Sequence, residues 1–218
     1  MSSQPASPSR PGPRPRFTRE EVLNTALDLI DRERPDAFTM RRVAEAMGMG
    51  VMTLYGYVRS KEEVIEGVTA LAFAEEHHQP SPDASWEDRL RTDVAHLHTV
   101  CSRHPNLVTL ILGQTTASPG LFRLRERMLG TLVEAGFTRQ RALHAQGILT
   151  SYALGFGGAQ AGAAIDLPER IRELPAGDFP RLTEVADSYA SHLSDDAFEY
   201  GLELLLRGLR TDLESPGG

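Results

Sequence analysis

The stretch MGMGVMTLYGYVRSKEEV, Met47 to Val64, decides how this chain is read. It carries Gly48 and Gly50 and no Lys or Arg before Arg59. Tyr55, Tyr57, Arg59 and Lys61 then follow within a few residues. A core helix would show a longer apolar stripe, and a solvent-facing helix would show charge. A short helix whose first turn lies against base edges in a DNA groove needs neither. Gly50 has no Cβ to hold the backbone away. Val51, Met52 and Thr53 offer methyl groups that suit thymine methyls in the major groove. Tyr55, Tyr57 and Lys61 place hydroxyls and an ammonium where phosphates would lie. Leu54 is the core residue of the segment.

Working outward, Thr39 caps a short helix through Met47 whose buried face is Met40, Val43, Ala44 and Met47, and Gly48 breaks it. At its start Thr39 can hold a phosphate and Arg41 can reach a guanine edge. Upstream, Thr18-x-x-Glu21 reads as a capping box opening a helix with Val22, Leu23, Ala26, Leu27 and Ile30 in register, and Pro35 stops it. Downstream, Ser60-x-x-Glu63 opens a long helix bearing Val64, Ile65, Val68, Leu71 and Ala72. Two short helices across a glycine turn form the helix-turn-helix pattern. By spacing alone that pattern also fits an ordinary helical corner.

The rest of the chain reads as helices. Trp86, Leu90, Val94, Leu97 and Cys101 form one stripe behind the cap Ser85, and Pro105 ends it. Helices follow from Asn106 to about Gln114, from Pro119 to Ala135 with Gly136 as C-cap, and from Thr138 to about Gly162. Residues 166–178 read as loop with about one helical turn. Ser194 caps a last helix with Phe198, Leu202, Leu205, Leu206, Leu209 and Leu213 in register. No strand or repeat is visible. The expected fold is all-α, with a three-helix helix-turn-helix head and a larger helical domain. The expected division is a Pro/Ser/Arg tail over residues 1–16, a DNA-binding head over 17–64, and an effector-binding and dimerisation domain over 65–218.

Composition agrees with that division. The formal net charge of −7 argues against a nucleic-acid binder only when taken whole. Residues 1–64 hold 10 Lys and Arg against 9 Asp and Glu, while the remainder holds 13 against 21. A near-neutral head can bind phosphates through a local patch. The tail carries Arg10, Arg14 and Arg16 and no acid. A single cysteine, Cys101, forbids an internal disulfide, and no apolar run or signal segment is present, so a cytoplasmic protein is expected.

The stretch from Phe17 to Val68 resembles the DNA-binding region of the TetR (tetracycline repressor) family. The segments "FTMRRVAEAMGM" and "TLYGYVRSKEEV" carry the likeness, with Thr39, Ala44, Gly48, Leu54, Tyr55 and Lys61 at matching places. Gly56 stands where the family often has a bulky aromatic, and Tyr57 where it has His. "SWEDRLRTDVAHL", "VEAGFTRQRALHA" and "AFEYGLELLLRGL" are similar to the C-terminal domain of the tetracycline repressor's own subgroup. The resemblance implies a homodimer bound through a four-helix bundle made from the helix at 138–162 and the last helix. Gly155, Gly157, Gly158 and Ala159 permit close approach there, and Leu202, Leu205 and Leu209 offer a stripe to a partner. Glycines inside a helix otherwise cost about 1 kcal/mol each relative to Ala.

The resemblance also implies an effector pocket in the C-terminal domain. His77 matches a drug-contacting His, Asp93 stands for a contacting Asn, and Leu97 for a Phe. The places that hold magnesium in that subgroup are here Ile111 and Ala159, neither of which suits a hard cation. No metal, no cofactor and no tetracycline–magnesium response are therefore expected. The pocket is expected to be largely apolar, from Leu97, Ile111, Phe122, Met128, Ile148 and Tyr152, with His77, Asp93 and Gln114 as polar contacts.

Other residues carry less. His96 and His98 point about 200° apart on one helix and cannot share a metal. Cys101 continues an apolar stripe and reads as packing. No nucleophile elbow, phosphate loop or metalloprotease motif is present, so no enzyme is expected. The expected function is a ligand-responsive repressor released from a palindromic operator by a small, largely apolar molecule. An effector-independent DNA-binding regulator, and an all-α carrier or enzyme without specific DNA binding, remain open.

Overall fold

Side-chain hydroxyls open most helices of this chain, and the segments between caps set the architecture. In a computed structural model the described residues are 16–74, 80–81, 83–112, 119–162 and 167–215. Among them the regular structure is helical throughout. The expected contacts His77 and Gln114, and the tail up to residue 15, lie outside the described residues.

Helix α1 (Arg19–Arg32) starts at a complete capping box. The Glu21 N–H donates to Thr18 Oγ1 at 3.1 Å, and the Thr18 N–H donates to Glu21 Oε2 at 2.6 Å. Each satisfies a donor that the first turn leaves open. A 3-10 turn at Pro35–Ala37 leads to α2 (Met40–Ala46), where Thr39 accepts from the Arg42 N–H. Gly48, at φ 62°, turns the chain in a conformation that L side chains rarely adopt. Helix α3 (Val51–Leu54) follows, and α4 (Lys61–Ala74) runs on unbroken past residue 65. At its start the Glu63 N–H donates to Ser60 Oγ at 3.1 Å, while the Glu63 carboxylate accepts from the Arg59 N–H rather than from Ser60.

The larger part holds α5 (Trp86–Arg103), α6 (Pro105–Leu112), α7 (Pro119–Glu134) and α8 (Arg139–Gly162). Then come α9 (Leu167–Arg172), α10 (Pro180–Glu184), a 3-10 helix over Ala186–Ser191, and α11 (Asp195–Glu214). The expected loop at 166–178 is thus partly helical. Pro168 and Pro180 sit in first turns, where the missing N–H costs nothing. Buried Ile171 holds α9, and Arg172 pairs with Glu169 at 2.8 Å and Asp187 at 2.9 Å.

Two apolar clusters result. One joins α1, α2, α3 and α4 and extends to Val100, Leu107 and Leu110. The other lies among α5, α7, α8 and α11 around Leu90, Leu97, Met128, Leu149 and Leu202. Between them, Asn106 Nδ2 donates to the carbonyls of Ile30 at 2.9 Å and Glu33 at 3.0 Å, taking up groups that the end of α1 leaves open. Beside it His104 Nδ1 lies 2.9 Å from the Asp31 carboxylate. These contacts tie the head to the α5–α6 corner.

Helix α8 crosses α5 so closely that a Cβ on Gly157 would stand 2.5 Å from Cys101 Cβ. Cys101 is 1% exposed, and burial pushes its thiol up to about 12. The folded chain keeps a proton that the unfolded chain loses above the ordinary 9.0, so this contribution to stability is complete below that pH and is lost as pH rises toward 12. Alkylation by iodoacetamide at pH 8 is expected to run about a hundredfold or more slower in the native protein than in the urea-unfolded chain. Equal rates would mean that Cys101 is reachable.

Candidate nucleic-acid interface and ligand cavity

Leu54, fully buried, ties α3 to the head core, worth about 1.5–3 kcal/mol for a side chain of this size. With that side chain inward, the start of α3 must face out. Gly50 and Thr53 are exposed, Val51 is partly buried, and Met52 is 84% exposed. An apolar side chain so exposed, on a turn with no charge, has no role in the head's own packing. Tyr55 is exposed just beyond, and Tyr57 is half-buried against the head core.

Arg19, Arg32, Arg34, Arg41 and Arg42 of the head are paired with its own acids. Arg41 donates to Glu45 at 2.8 Å, and Arg42 bridges Glu45 and Glu33. The Arg41 and then the Arg42 hydrogen bonds hold the Glu45 carboxyl below its ordinary range. Lys61 differs from a free phosphate ligand. Its ammonium donates to the Phe38 carbonyl at 2.7 Å and sits over the Phe38 ring at 5.3 Å. It therefore pins the start of α4 to the loop before α2, with two N–H bonds left to give.

The described residues expected to hold ligand do not line one common cavity. Leu97 and Met128 are closed into the core of the larger part, whereas Phe122 at 52% and Ile148 at 53% are exposed. Ile111 packs against the head-side cluster. Tyr152 stacks on Phe198 at 5.2 Å and donates its hydroxyl to the Phe198 carbonyl at 2.8 Å. Burial first, then Glu199, pushes that phenol up. Asp93 is 4% exposed and accepts from Arg127 through Nε at 3.2 Å and Nη2 at 2.9 Å.

Two cavities flank α5 in the larger part. One of 310 Å³ lies between α4, α5 and α7, against Phe73, His96, Leu124, Arg123 and Arg127. The other, of 360 Å³, lies between α5 and α11, against His98, Ser102, Phe198 and charges of both signs. None of the described residues expected to hold ligand lines the first, although Asp93 reaches it through Arg127. Phe73, His96, Arg123 and Arg127 were not foreseen as its walls. The signal was available: arginines four apart share a helix face, and an aspartate on an apolar stripe needs a countercharge. His96 and His98 diverge as helix geometry requires, His96 Nε2 to the Phe73 carbonyl at 3.1 Å and His98 Nε2 to Gln160 at 2.8 Å.

The expected dimer stripe divides. Leu202 is fully buried in the chain's own core and is closed to a partner, because α11 turns it toward Phe198 and α8. Leu205 and Leu209 are half-buried at the margin of that core. The outward face is instead Tyr200, Leu204 and Gly208 on α11, with Gly147, Ile148, Ser151, Gly155 and Ala159 on α8.

A helix-turn-helix head with an uncharged outward tip, joined by one helix to a larger helical part, defines a class of DNA-binding regulator. Residues 22–68 match the family described as bacterial regulatory proteins, tetR family, and residues 79–213 match the tetracyclin repressor-like C-terminal domain. The chain belongs to the TetR family of bacterial regulatory proteins. It is similar to the tetracycline repressor protein class D of Escherichia coli, at 27% identity over 200 residues and 91% of each chain. It is also similar to the HTH-type transcriptional repressor DrrR1 of Streptomyces coeruleorubidus, at 25% identity over 93% of this chain and 80% of that one. The solved structure of the Streptomyces coelicolor TetR family protein ActR in complex with actinorhodin superposes with a TM-score of 0.72, at 25% identity over 91% of this chain and 99% of that one. No described helix is long and apolar enough to cross a membrane.

Proposed function

We propose that two copies of this chain form a cytoplasmic repressor that holds a palindromic operator in successive major grooves and releases it when a small molecule enters the larger part. The observation that carries this reading is the outward, uncharged first turn of α3, with Met52 at 84% exposure beside Gly50 and Thr53. Residues 17–64 act as the DNA-binding head and residues 65–218 bind effector and partner. Thr39, Tyr55, Tyr57 and Lys61 hold phosphates, while Arg41, Val51, Met52 and Thr53 face base edges. On docking, Arg41 exchanges Glu45 for the guanine edge.

Helix α4 serves as the coupling element, since it packs in the head and its far end walls the α4–α5–α7 cavity. A molecule that fits the chain better off DNA than on it must weaken DNA binding by the same factor. Tetracycline with magnesium is not expected to act, because Ile111 and Ala159 supply no oxygen or imidazole ligand.

Fluorescence anisotropy of the protein against its own upstream DNA tests the reading. Tight, sequence-specific and salt-dependent binding is expected. Arg41→Ala should relax preference at one operator position, costing about 1–3 kcal/mol there. Lys61→Ala should weaken all sequences alike and flatten the salt slope by about one. A uniform loss for Arg41→Ala would count against base readout. No specific binding to any sequence in a genome-wide selection would leave a carrier of small molecules.

A further inference from the structure

The α4–α5–α7 cavity gathers basic side chains within an acid-rich chain. Arg123 and Arg127 stand four apart on α7, and both line it. Like charges at that spacing repel, so the pair asks for compensation. Asp93 supplies part of it. Its carboxylate, 4% exposed, accepts two N–H bonds from Arg127, which holds that guanidinium in place and cancels its charge. Arg123 forms no ion pair with a described residue. No acid lines the cavity among the described residues. Among the described residues the wall therefore carries one positive charge in excess, beside Arg127, whose Nη1 donates to no described residue.

The remaining walls are flat and apolar. Phe73 meets the His96 ring edge-on, with centroids 5.8 Å apart. Ala70 and Ala74 leave room along α4, and Leu124 closes the α7 side. At 310 Å³ the space suits a small molecule rather than a peptide. Guanidiniums recognise planar anions through paired N–H donors, and an aromatic wall recognises a planar body.

We propose that this cavity takes an aromatic organic acid, its ionised group on Arg123 and Arg127 and its ring system against Phe73. The inference rests on the reading of this cavity as the effector site. Because the acid bridges α7 and α4, its binding bears directly on the helix that runs into the head.

The test uses the full chain and two fluorescent probes of one skeleton. Anilinonaphthalene sulfonate carries an anion, and N-phenyl-1-naphthylamine lacks it. Saturable binding of the sulfonate at one site per chain, about tenfold or more tighter than the neutral probe, is expected, as for one charge-assisted hydrogen bond. Arg123→Gln should weaken the sulfonate about tenfold and leave the neutral probe unchanged, whereas Phe73→Ala should weaken both. An unaltered cooperative melt excludes binding to loosened protein. Equal affinity for the two probes, an Arg123→Gln protein that holds the sulfonate as tightly, or no binding of either probe would overturn the assignment. Operator anisotropy with the sulfonate bound is read separately. Arg123-dependent binding that leaves the operator in place would sustain the acid site and remove the ligand-gated reading.

Discussion

Leu204→Glu combined with Ile148→Glu is expected to convert the protein to a monomer of 24.0 kDa by sedimentation equilibrium. Both side chains stand outward in the single chain, at 44% and 53% exposure, so neither substitution opens the core. On a two-fold interface each change appears twice, which places four carboxylates in a region meant to exclude water. Burying charge without a partner is costly enough to separate the subunits. The melt should remain cooperative, because Leu202 and Leu206 still fill the interior. Operator affinity should fall about a hundredfold or more, since two heads joined in one particle gain from effective concentration and single heads do not. A variant that sediments as a dimer would place the subunit contact elsewhere. The matched change at Leu205 and Leu209 is less informative, because those side chains also border the core.

The second large effect is inside the subunit. Gly157→Ala adds a single methyl group, and helix propensity alone would favour it by about 1 kcal/mol. The structure reverses the sign. The new carbon would meet Cys101 Cβ at 2.5 Å and the Cys101 carbonyl carbon at 3.4 Å, so α8 and α5 must part. Overpacking of this kind costs about 1–3 kcal/mol, which for a chain of this length lowers the melting temperature by roughly 3–10 °C. Adding Cys101→Gly should recover part of the loss, giving a double variant less destabilised than the two single effects combined. The same substitution at Gly155, where a Cβ meets nothing within 4 Å, should leave the melt of a monomeric background unchanged or raise it. If Gly157→Ala melts like the parent, the α5–α8 crossing is wider than described.

The candidate site was legible in parts that depend on neighbours in sequence. Thr18, Thr39, Ser60, Ser85 and Ser194 each cap a helix through an N–H a few residues on, so their caps can be read without the fold. The outward tip of α3 follows from Leu54 as the buried residue of a four-residue helix. Position near the tip suggests a phosphate ligand at Lys61, but its first partner is a carbonyl 23 residues back. The resemblance implies a ligand contact at Asp93, yet its charge is met by Arg127 from another helix, 34 residues away. Phe122 and Ile148 enter the expected pocket as apolar residues on helices that the resemblance assigns to it, and apolar character marks burial somewhere without saying against what.

The sequence by itself determined the helical class, the starts of the hydroxyl-capped helices, the glycine turn and the head, because capping and period 3.6 are interactions within a few residues. Only the tertiary structure decided which way α8 faces. Its stretch from 155 to 159, Gly and Ala apart from Phe156, has little contrast between one side and the other, so periodicity gives no direction. Contact decides instead: Gly157 is inward because Cys101 occupies the space a side chain would need, and Gly155 is outward because nothing does. The same holds for Gly201 on α11, where a Cβ would stand 2.1 Å from the Tyr152 hydroxyl. Polar pairings across helices, Asp93 with Arg127 and Asp31 with His104, likewise exist only once the helices have been packed.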